Sequence, residues 1–217
     1  MAKGYVIYNP LAGNGTAQEE AKLLQVVLDD EVEYYDMTRI TNYAALLGGM
    51  DKDDYIIIAG GDGTLNRFVN DTQGIEITQE ILYFPVGTGN DFAREFGKNA
   101  FSNPFPVIAY LKNLPSVTVK GKTYRFINGV GFGIDGYCCE VGDKRKAAGK
   151  KVNYASIAIK GLLFHFSPRS AKVTVDRKLE TYEKVWIAPT MWGRYYGGGM
   201  IPAPIQNRAA QFRNGRA

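Results

Sequence analysis

The chain has 217 residues, 45% of them hydrophobic, enough for one large or two small domains with a real core. Its net charge of +4 is too weak to signal nucleic acid, and no apolar run is long enough for a transmembrane helix. Two adjacent cysteines, Cys138 and Cys139, cannot build a zinc site or a disulfide framework; they read as small buried hydrophobes in a reducing compartment.

Met1 to Gly4 leads straight into a strand without a secretory signal, which places the protein in the cytoplasm. On the same ground Asn14-Gly15-Thr16 and Asn70-Asp71-Thr72 are not read as glycosylation sites. Tyr5 to Tyr8 is a first strand, ending in the turn Asn9-Pro10-Leu11-Ala12-Gly13-Asn14-Gly15-Thr16. Thr16 opens a helix expected to run through Leu28. Val32 to Asp36 is a second strand, left through Met37-Thr38-Arg39 into a helix ending near Leu47.

Tyr55-Ile56-Ile57-Ile58-Ala59 has no polar alternation and reads as a strand buried on both faces. It runs into Gly60-Gly61-Asp62-Gly63-Thr64-Leu65-Asn66, a glycine turn and a helix start. Strand, glycine turn and helix N-terminus together make an anion site. A carboxylate there repels phosphate unless a divalent cation lies between them, and Mg²⁺ takes oxygen ligands. A plain turn with Asp62 capping its helix competes with that reading.

Ile81 to Val86 is a fourth strand, delivering Gly87-Thr88-Gly89-Asn90-Asp91 and a helix from Phe92. Strands alternating with helices predict an α/β, doubly wound, mostly parallel sheet, with ligands beyond the carboxyl ends of the strands. After Pro115 the pattern changes: Val117 to Ile127 alternates around Gly121-Lys122 and predicts a hairpin in an antiparallel region. Gly131, Gly133 and Gly136 form a G-x-G-x-x-G. The dinucleotide reading is rejected, because Ala155-Ser156-Ile157 stands where an acidic residue should end the next strand. Close packing of this strand on the first domain is expected instead. The basic run Lys144 to Lys151, followed by apolar Tyr154 to Phe166, reads either as a contact with an anionic membrane or as a solvated loop before a packed helix. His165, the only histidine, is read as structural. Lys172 to Asp176 and Lys184 to Ala188 are expected strands.

These pieces resemble the diacylglycerol kinase catalytic family, which includes bacterial soluble lipid kinases and sphingosine kinases. The resemblance rests on Asn9-Pro10 with Gly13-Asn14-Gly15, on Gly60 to Asn66, on Pro85 to Arg94, on Asn128 with Gly131 to Asp135, and on Gly197-Gly198-Gly199-Met200. It implies an ATP-binding α/β domain over 1–115, an antiparallel β-sandwich-type lipid domain over 116–208, incomplete here, and an irregular tail over 209–217. It implies transfer of the γ-phosphate of Mg-ATP to a lipid hydroxyl, with diacylglycerol the best-fitting substrate. Nucleotide contacts fall by resemblance on Asn9, Thr38, Gly60, Gly61, Asp62, Gly63, Thr64, Leu65, Asn66, Gly87, Thr88 and Asn90. By the same resemblance Asp62 and Asp91 would be the catalytic and Mg²⁺-holding pair, and Asp62→Asn is expected to weaken Mg-ATP binding while leaving the fold intact.

The implied partners are ATP, a lipid and the anionic inner surface of a membrane, but no nucleic acid; a homodimer stays open. In the family the chain runs on past the Gly-Gly-Gly-Met loop into strands carrying a glutamate general base. The resemblance therefore implies a truncated member or a fragment. Two rivals remain: an inactive nucleotide-binding homologue, and a kinase like NAD kinase or phosphofructokinase with the same Gly-Gly-Asp-Gly turn.

Overall fold

The structure is a computed structural model and describes residues 2–28, 30–87 and 89–205. Thr88 and the expected tail over 209–217 lie outside the described residues. Strands β1 (Lys3–Tyr8), β2 (Glu31–Asp36), β3 (Tyr55–Gly60) and β4 (Glu80–Pro85) pair in parallel in the order β2-β1-β3-β4. The two-residue strand β5 (Phe105–Pro106) joins β4 antiparallel. The mainly parallel α/β sheet expected from the strand–helix alternation is the one observed.

The isoleucines of β3 divide between two cores. Ile56 and Ile58 pack with Ile7, Leu65, Phe68, Tyr83 and Phe92 on one face, and Ile57 and Ala59 with Val6, Leu24 and Phe84 on the other. All three isoleucines are fully buried, each worth about 1.5–3 kcal/mol of transfer free energy. Period-two geometry thus explains an apolar run without polar alternation: both faces are covered.

Between the strands lie α1 (Ala17–Lys22), α2 (Leu24–Val27), α3 (Tyr43–Gly48), α4 (Asp62–Asp71), α5 (Asp91–Arg94) and α6 (Ile108–Leu111). The single helix expected through Leu28 is broken at Leu23 into α1 and α2. Helix α4 buries Leu65, Phe68 and Val69 at the i, i+3, i+4 spacing of an amphipathic face.

The hairpin of β6 (Ser116–Val119) and β7 (Lys122–Arg125) turns at Lys120 and Gly121, both with positive φ as a tight hairpin needs. Asn70 of α4 holds the hairpin edge as a strand would: its Oδ1 accepts the Arg125 N–H at 2.9 Å and its Nδ2 donates to the Arg125 carbonyl at 2.9 Å. The chain divides into two compact units: Met1–Asn128 with the chain from Met191 onward, and Gly129–Thr190. The first unit therefore extends past residue 115, because Asn66 and Asn70 tie the segment 125–127 to α4.

In the second unit β8 (Gly129–Gly133) pairs with β11 (Ile187–Met191), and β9 (Arg169–Val175) forms an antiparallel hairpin with β10 (Lys178–Val185). Helices α7 (Ile134–Ala147) and α8 (Tyr154–Lys160) lie between, with one π-helical turn at Gly161–His165. Two glycines of the G-x-G-x-x-G serve packing inside this unit: a Cβ on Gly131 would run into the Asp135 carboxylate, and one on Gly133 into the Trp186 carbonyl, whereas nothing lies within 4 Å of a Cβ on Gly136. Part of the basic run is helical rather than loop, since α7 carries Lys144 and Arg145. His165 stacks on Tyr137 at 6.4 Å, in keeping with a structural role. Cys138 is half-buried and Cys139 is exposed, so the reading of two buried hydrophobes does not hold.

Candidate active site

The chain leaves β1 for β2 on one side and returns to β3 on the other. The crevice beyond the carboxyl ends of β1 and β3 is therefore the topological switch point, the usual ligand position in such sheets. The turns after β3 and β4 meet there backbone to backbone. A Cβ on Gly61 would stand 3.2 Å from the Gly87 Cα, and the Val86 N–H donates to the Gly60 carbonyl at 3.1 Å. Gly61 has an ordinary φ of −94°, so close approach, not a left-handed conformation, requires glycine here.

Asp62 is the first residue of α4, yet its carboxylate serves another helix. Oδ2 accepts the Asp91 N–H at 2.9 Å; Oδ1 accepts the Phe92 N–H at 2.8 Å and Asn128 Nδ2 at 3.0 Å. Asp62 is thus the cap of α5, 29 residues away in sequence. The capping alternative holds in kind, but for a different helix. Three donors occupy a carboxylate that offers about four acceptor positions, which leaves Asp62 little beyond one further contact.

Asp91 opens α5 and is only 7% exposed. Its place is set by Phe92, which is fully buried edge-on to Tyr83 at 5.8 Å. Asp91 Oδ2 accepts the Gly198 N–H at 2.9 Å, while Oδ1 is buried without a hydrogen-bond partner; Arg94 Nε stands 3.9 Å from it. Burial pushes the Asp91 carboxyl above the ordinary carboxylate range; the Gly198 N–H opposes this, and the Asp62 charge adds to it. A folded-state pKa above the unfolded value makes the protonated acid the better-packed form. That contribution to stability is complete below the ordinary carboxylate pKa and is lost as pH rises through the raised one. Asp91→Asn should therefore unfold at the same or a higher temperature than the parent at neutral pH, with the gap closing in acid. A lower melting temperature at neutral pH would contradict this.

Asn90 is in the left-handed region at φ 51°, a conformation Asn tolerates, and its Nδ2 donates to the Gly87 carbonyl at 2.6 Å. Gly60, Gly61, Asp62, Gly87, Asn90 and Asp91 are thereby joined by direct contacts. Gly63 is the second residue of α4, where N–H groups have no intrahelical acceptor. Other expected site residues are engaged elsewhere. Leu65 is fully buried and Thr64 is 2% exposed, so their side chains serve packing. Asn66 Oδ1 accepts the Ile127 N–H at 3.1 Å. Asn9 Oδ1 accepts the Leu11 N–H at 3.0 Å, and Thr38 Oγ1 donates to Asp36 at 2.7 Å, so both stabilise their own turns.

Two participants stood outside the expected site. Asn128 bridges Asp62 to the segment 192–193, whose N–H groups donate to its carbonyl at 2.7 and 2.9 Å. Gly198 reaches Asp91 from a loop in which Gly197, Gly198 and Gly199 all have positive φ. The motif Gly197-Gly198-Gly199-Met200 was the sequence signal for that loop, but not for the residue it meets.

Glycine turns at adjacent strand ends, a helix N-terminus and two interacting carboxylates meet in one place of this α/β unit, an arrangement of the kind that receives phosphate groups. The sequence signature of the diacylglycerol kinase catalytic domain matches residues 3–115, and the chain belongs to that family of kinase phosphotransferases. It is 24% identical over 233 residues to YtlR of Bacillus subtilis (strain 168), covering 95% of this chain and 74% of that protein. Against the diacylglycerol kinase of the same organism it is 35% identical over 104 residues, 45% of this chain and 34% of that one. A crystal structure of a diacylglycerol kinase from Bacillus anthracis str. Sterne shares the fold, with a TM-score of 0.53 at 24% identity, covering 93% of this chain and 67% of that one. The family match sets aside the NAD kinase and phosphofructokinase readings. Among the described residues no helix is long and apolar enough to cross a membrane.

Proposed function

We propose that this chain is an ATP-dependent lipid kinase that phosphorylates a lipid hydroxyl, with diacylglycerol the first substrate to test. The observation that carries the proposal is the contact of the Gly60-Gly61 and Gly87 turns beside Asp62 and Asp91. Gly61, Gly63 and the first turn of α4 suit the phosphates, since they combine close backbone approach with free N–H groups. Asn9 and Thr38 stand in the turns beyond β1 and β2 and suit the outer part of the nucleotide.

The residues present fit Mg²⁺. Asp91 keeps a buried oxygen without a hydrogen bond, and a second carboxylate interacts with it. Among the described residues no group of three or more His, Cys, Asp or Glu could hold a metal. Mg²⁺ keeps several of its waters and leans on one or two carboxylates and the substrate phosphates, so a pair of acids is a sufficient donor set. Asp62 and Asp91 would hold Mg²⁺, which neutralises phosphate charge when bound. In the reaction the lipid oxygen bonds to the γ-phosphorus, the bond from that phosphorus to the ADP oxygen breaks, and the hydroxyl proton leaves to a carboxylate or solvent. The protein's part is positioning and charge compensation, which phosphoryl transfer mostly needs.

A membrane-facing surface accompanies this reading. Leu163 is 67% and Phe164 75% exposed in the π-helical turn, which packs with α7 and α8, and Arg145, Lys150, Lys151 and Lys160 are exposed as well. Each cation near an anionic surface is worth about 1 kcal/mol.

The test is transfer of label from γ-labelled ATP to diacylglycerol, presented in neutral and in anionic vesicles. Labelled lipid is expected with Mg²⁺, more on anionic vesicles at low salt, and none with Asp91→Ala. Binding of Mg-ATP without transfer would instead favour the inactive homologue. Transfer indifferent to vesicle charge and to Phe164→Glu would remove the membrane surface from the reading.

A further inference from the structure

Glu95 is an acid that the site as described does not use. It follows α5 directly, and its side chain is only 1% exposed. A buried carboxylate is costly unless donors surround it. Its donors come from far along the chain: Oε1 accepts the Arg194 N–H at 2.5 Å and the Tyr195 N–H at 3.4 Å, 99 and 100 residues on. The Arg194 guanidinium stands over the Tyr195 ring at 4.9 Å, and its Nε pairs with Glu95 Oε2 at 3.6 Å. Two N–H groups and a cation thus converge on one carboxylate, and the segment they belong to leads within three residues to Gly198.

We infer that Glu95 is a positioning residue, a latch that holds the segment 192–199 so that the Gly198 N–H stays on the Asp91 carboxylate. The ties of the segment include those to the Asn128 carbonyl, to Glu95 and to Asp91. Glu95 is the middle tie. Beyond it lie three glycines in left-handed conformations, a stretch with a large entropy to lose on ordering. The Tyr196 and Met200 backbones pair across those glycines and close the loop, and Glu95 fixes the chain just ahead of it. With the latch in place, one oxygen of Asp91 is held by Gly198 and the other is the open acceptor at the site. The consequence for catalysis rests on the lipid kinase reading; the latch itself does not.

The experiment labels the glycines with ¹⁵N and follows hydrogen exchange of the Gly198 amide in the full chain, in the parent, Glu95→Ala, Glu95→Gln and Arg194→Ala. Glu95→Ala should speed exchange at Gly198 about tenfold or more, the scale of one lost hydrogen bond. Glu95→Gln keeps an oxygen for the two N–H groups, and Arg194→Ala keeps those N–H groups themselves, so both should retain most of the protection. In the phosphoryl-transfer assay Glu95→Ala should lower kcat far more than it raises the KM for ATP, and Glu95→Gln should recover most of the loss. Folded Glu95→Ala with unchanged exchange at Gly198 would overturn the latch. Should Glu95→Ala fail to fold, Glu95→Asp takes its place: it keeps the charge but draws the carboxylate back by one methylene from the Arg194 N–H, so exchange at Gly198 should quicken, and exchange as slow as in the parent overturns the latch. A parent chain that does not bind Mg-ATP would refute the kinase reading and leave the exchange result standing.

Discussion

Asp62→Ala is expected to destabilise the first unit by about 2–4 kcal/mol, because it removes a helix cap and a charged hydrogen bond together. Its carboxylate satisfies the Asp91 and Phe92 N–H groups and holds Asn128. Alanine would remove the acceptor of two donors at the start of α5, in a place where Asp91 and Phe92 are buried. At roughly 2–4 °C per kcal/mol for a chain of this size, the melting temperature should fall by about 5–15 °C. Asp62→Asn keeps one oxygen but turns an amide toward an N–H donor, so it should fall between parent and alanine variant. The geometry adds a stability cost to the expectation that Asp62→Asn weakens Mg-ATP binding while leaving the fold intact, because the residue offered to the metal is also a structural tie. Calorimetry decides the matter, and a melting temperature for Asp62→Ala within a degree or so of the parent would exclude the capping role.

Gly87→Ala should be comparably severe for a steric reason. The added Cβ would overlap the Gly61 Cα and stand 2.9 Å from Asn90 Oδ1. A flexible side chain could step aside, but one obstacle here is backbone. The two strand-end turns must part, at a cost of about 1–3 kcal/mol for an overpacked site. On the proposed lipid kinase reading, parting them also moves the Gly60-Gly61 turn away from Asp91, so Mg-ATP affinity should drop by at least about tenfold, the scale of one lost hydrogen bond to a charged group. Gly63→Ala is the matched control, since nothing lies within 4 Å of its would-be Cβ. It should keep or raise stability, by up to about 1 kcal/mol on helix propensity. Denaturant midpoints and titration calorimetry on both variants read the two effects separately. Equal stability of Gly87→Ala and Gly63→Ala would mean that the turns are not locked together.

Local pattern was sufficient for the scaffold. The apolar block Ile56-Ile57-Ile58 forecast a strand buried on both faces because a parallel sheet leaves neither face to water. The turns after β1, β3 and β4 were legible from their glycines, and the hairpin at Gly121 from its alternation. Where alternation was absent the reading failed. β10 is exposed along nearly its whole length, so no apolar period marked it before Lys184, and the strand expected over Lys184 to Ala188 covers only its last two residues before crossing into β11. The helix expected through Leu28 breaks at Leu23, although its apolar spacing runs on.

The amino-acid sequence alone determined that glycine turns and acids would gather at strand ends, since strand–helix alternation and chirality admit few other arrangements. Which acid does what was decided only in three dimensions. Asp62 caps a helix begun 29 residues later, Asn70 stands in for a strand beside Arg125, and Glu95 holds an N–H 99 residues on. Each of these bonds joins residues from different turns of the chain, so no spacing or periodicity within a segment encodes it. They form because packing of Phe92, Leu65 and Phe68 against the sheet brings those polar groups out of water, where each must find the partner that the fold supplies.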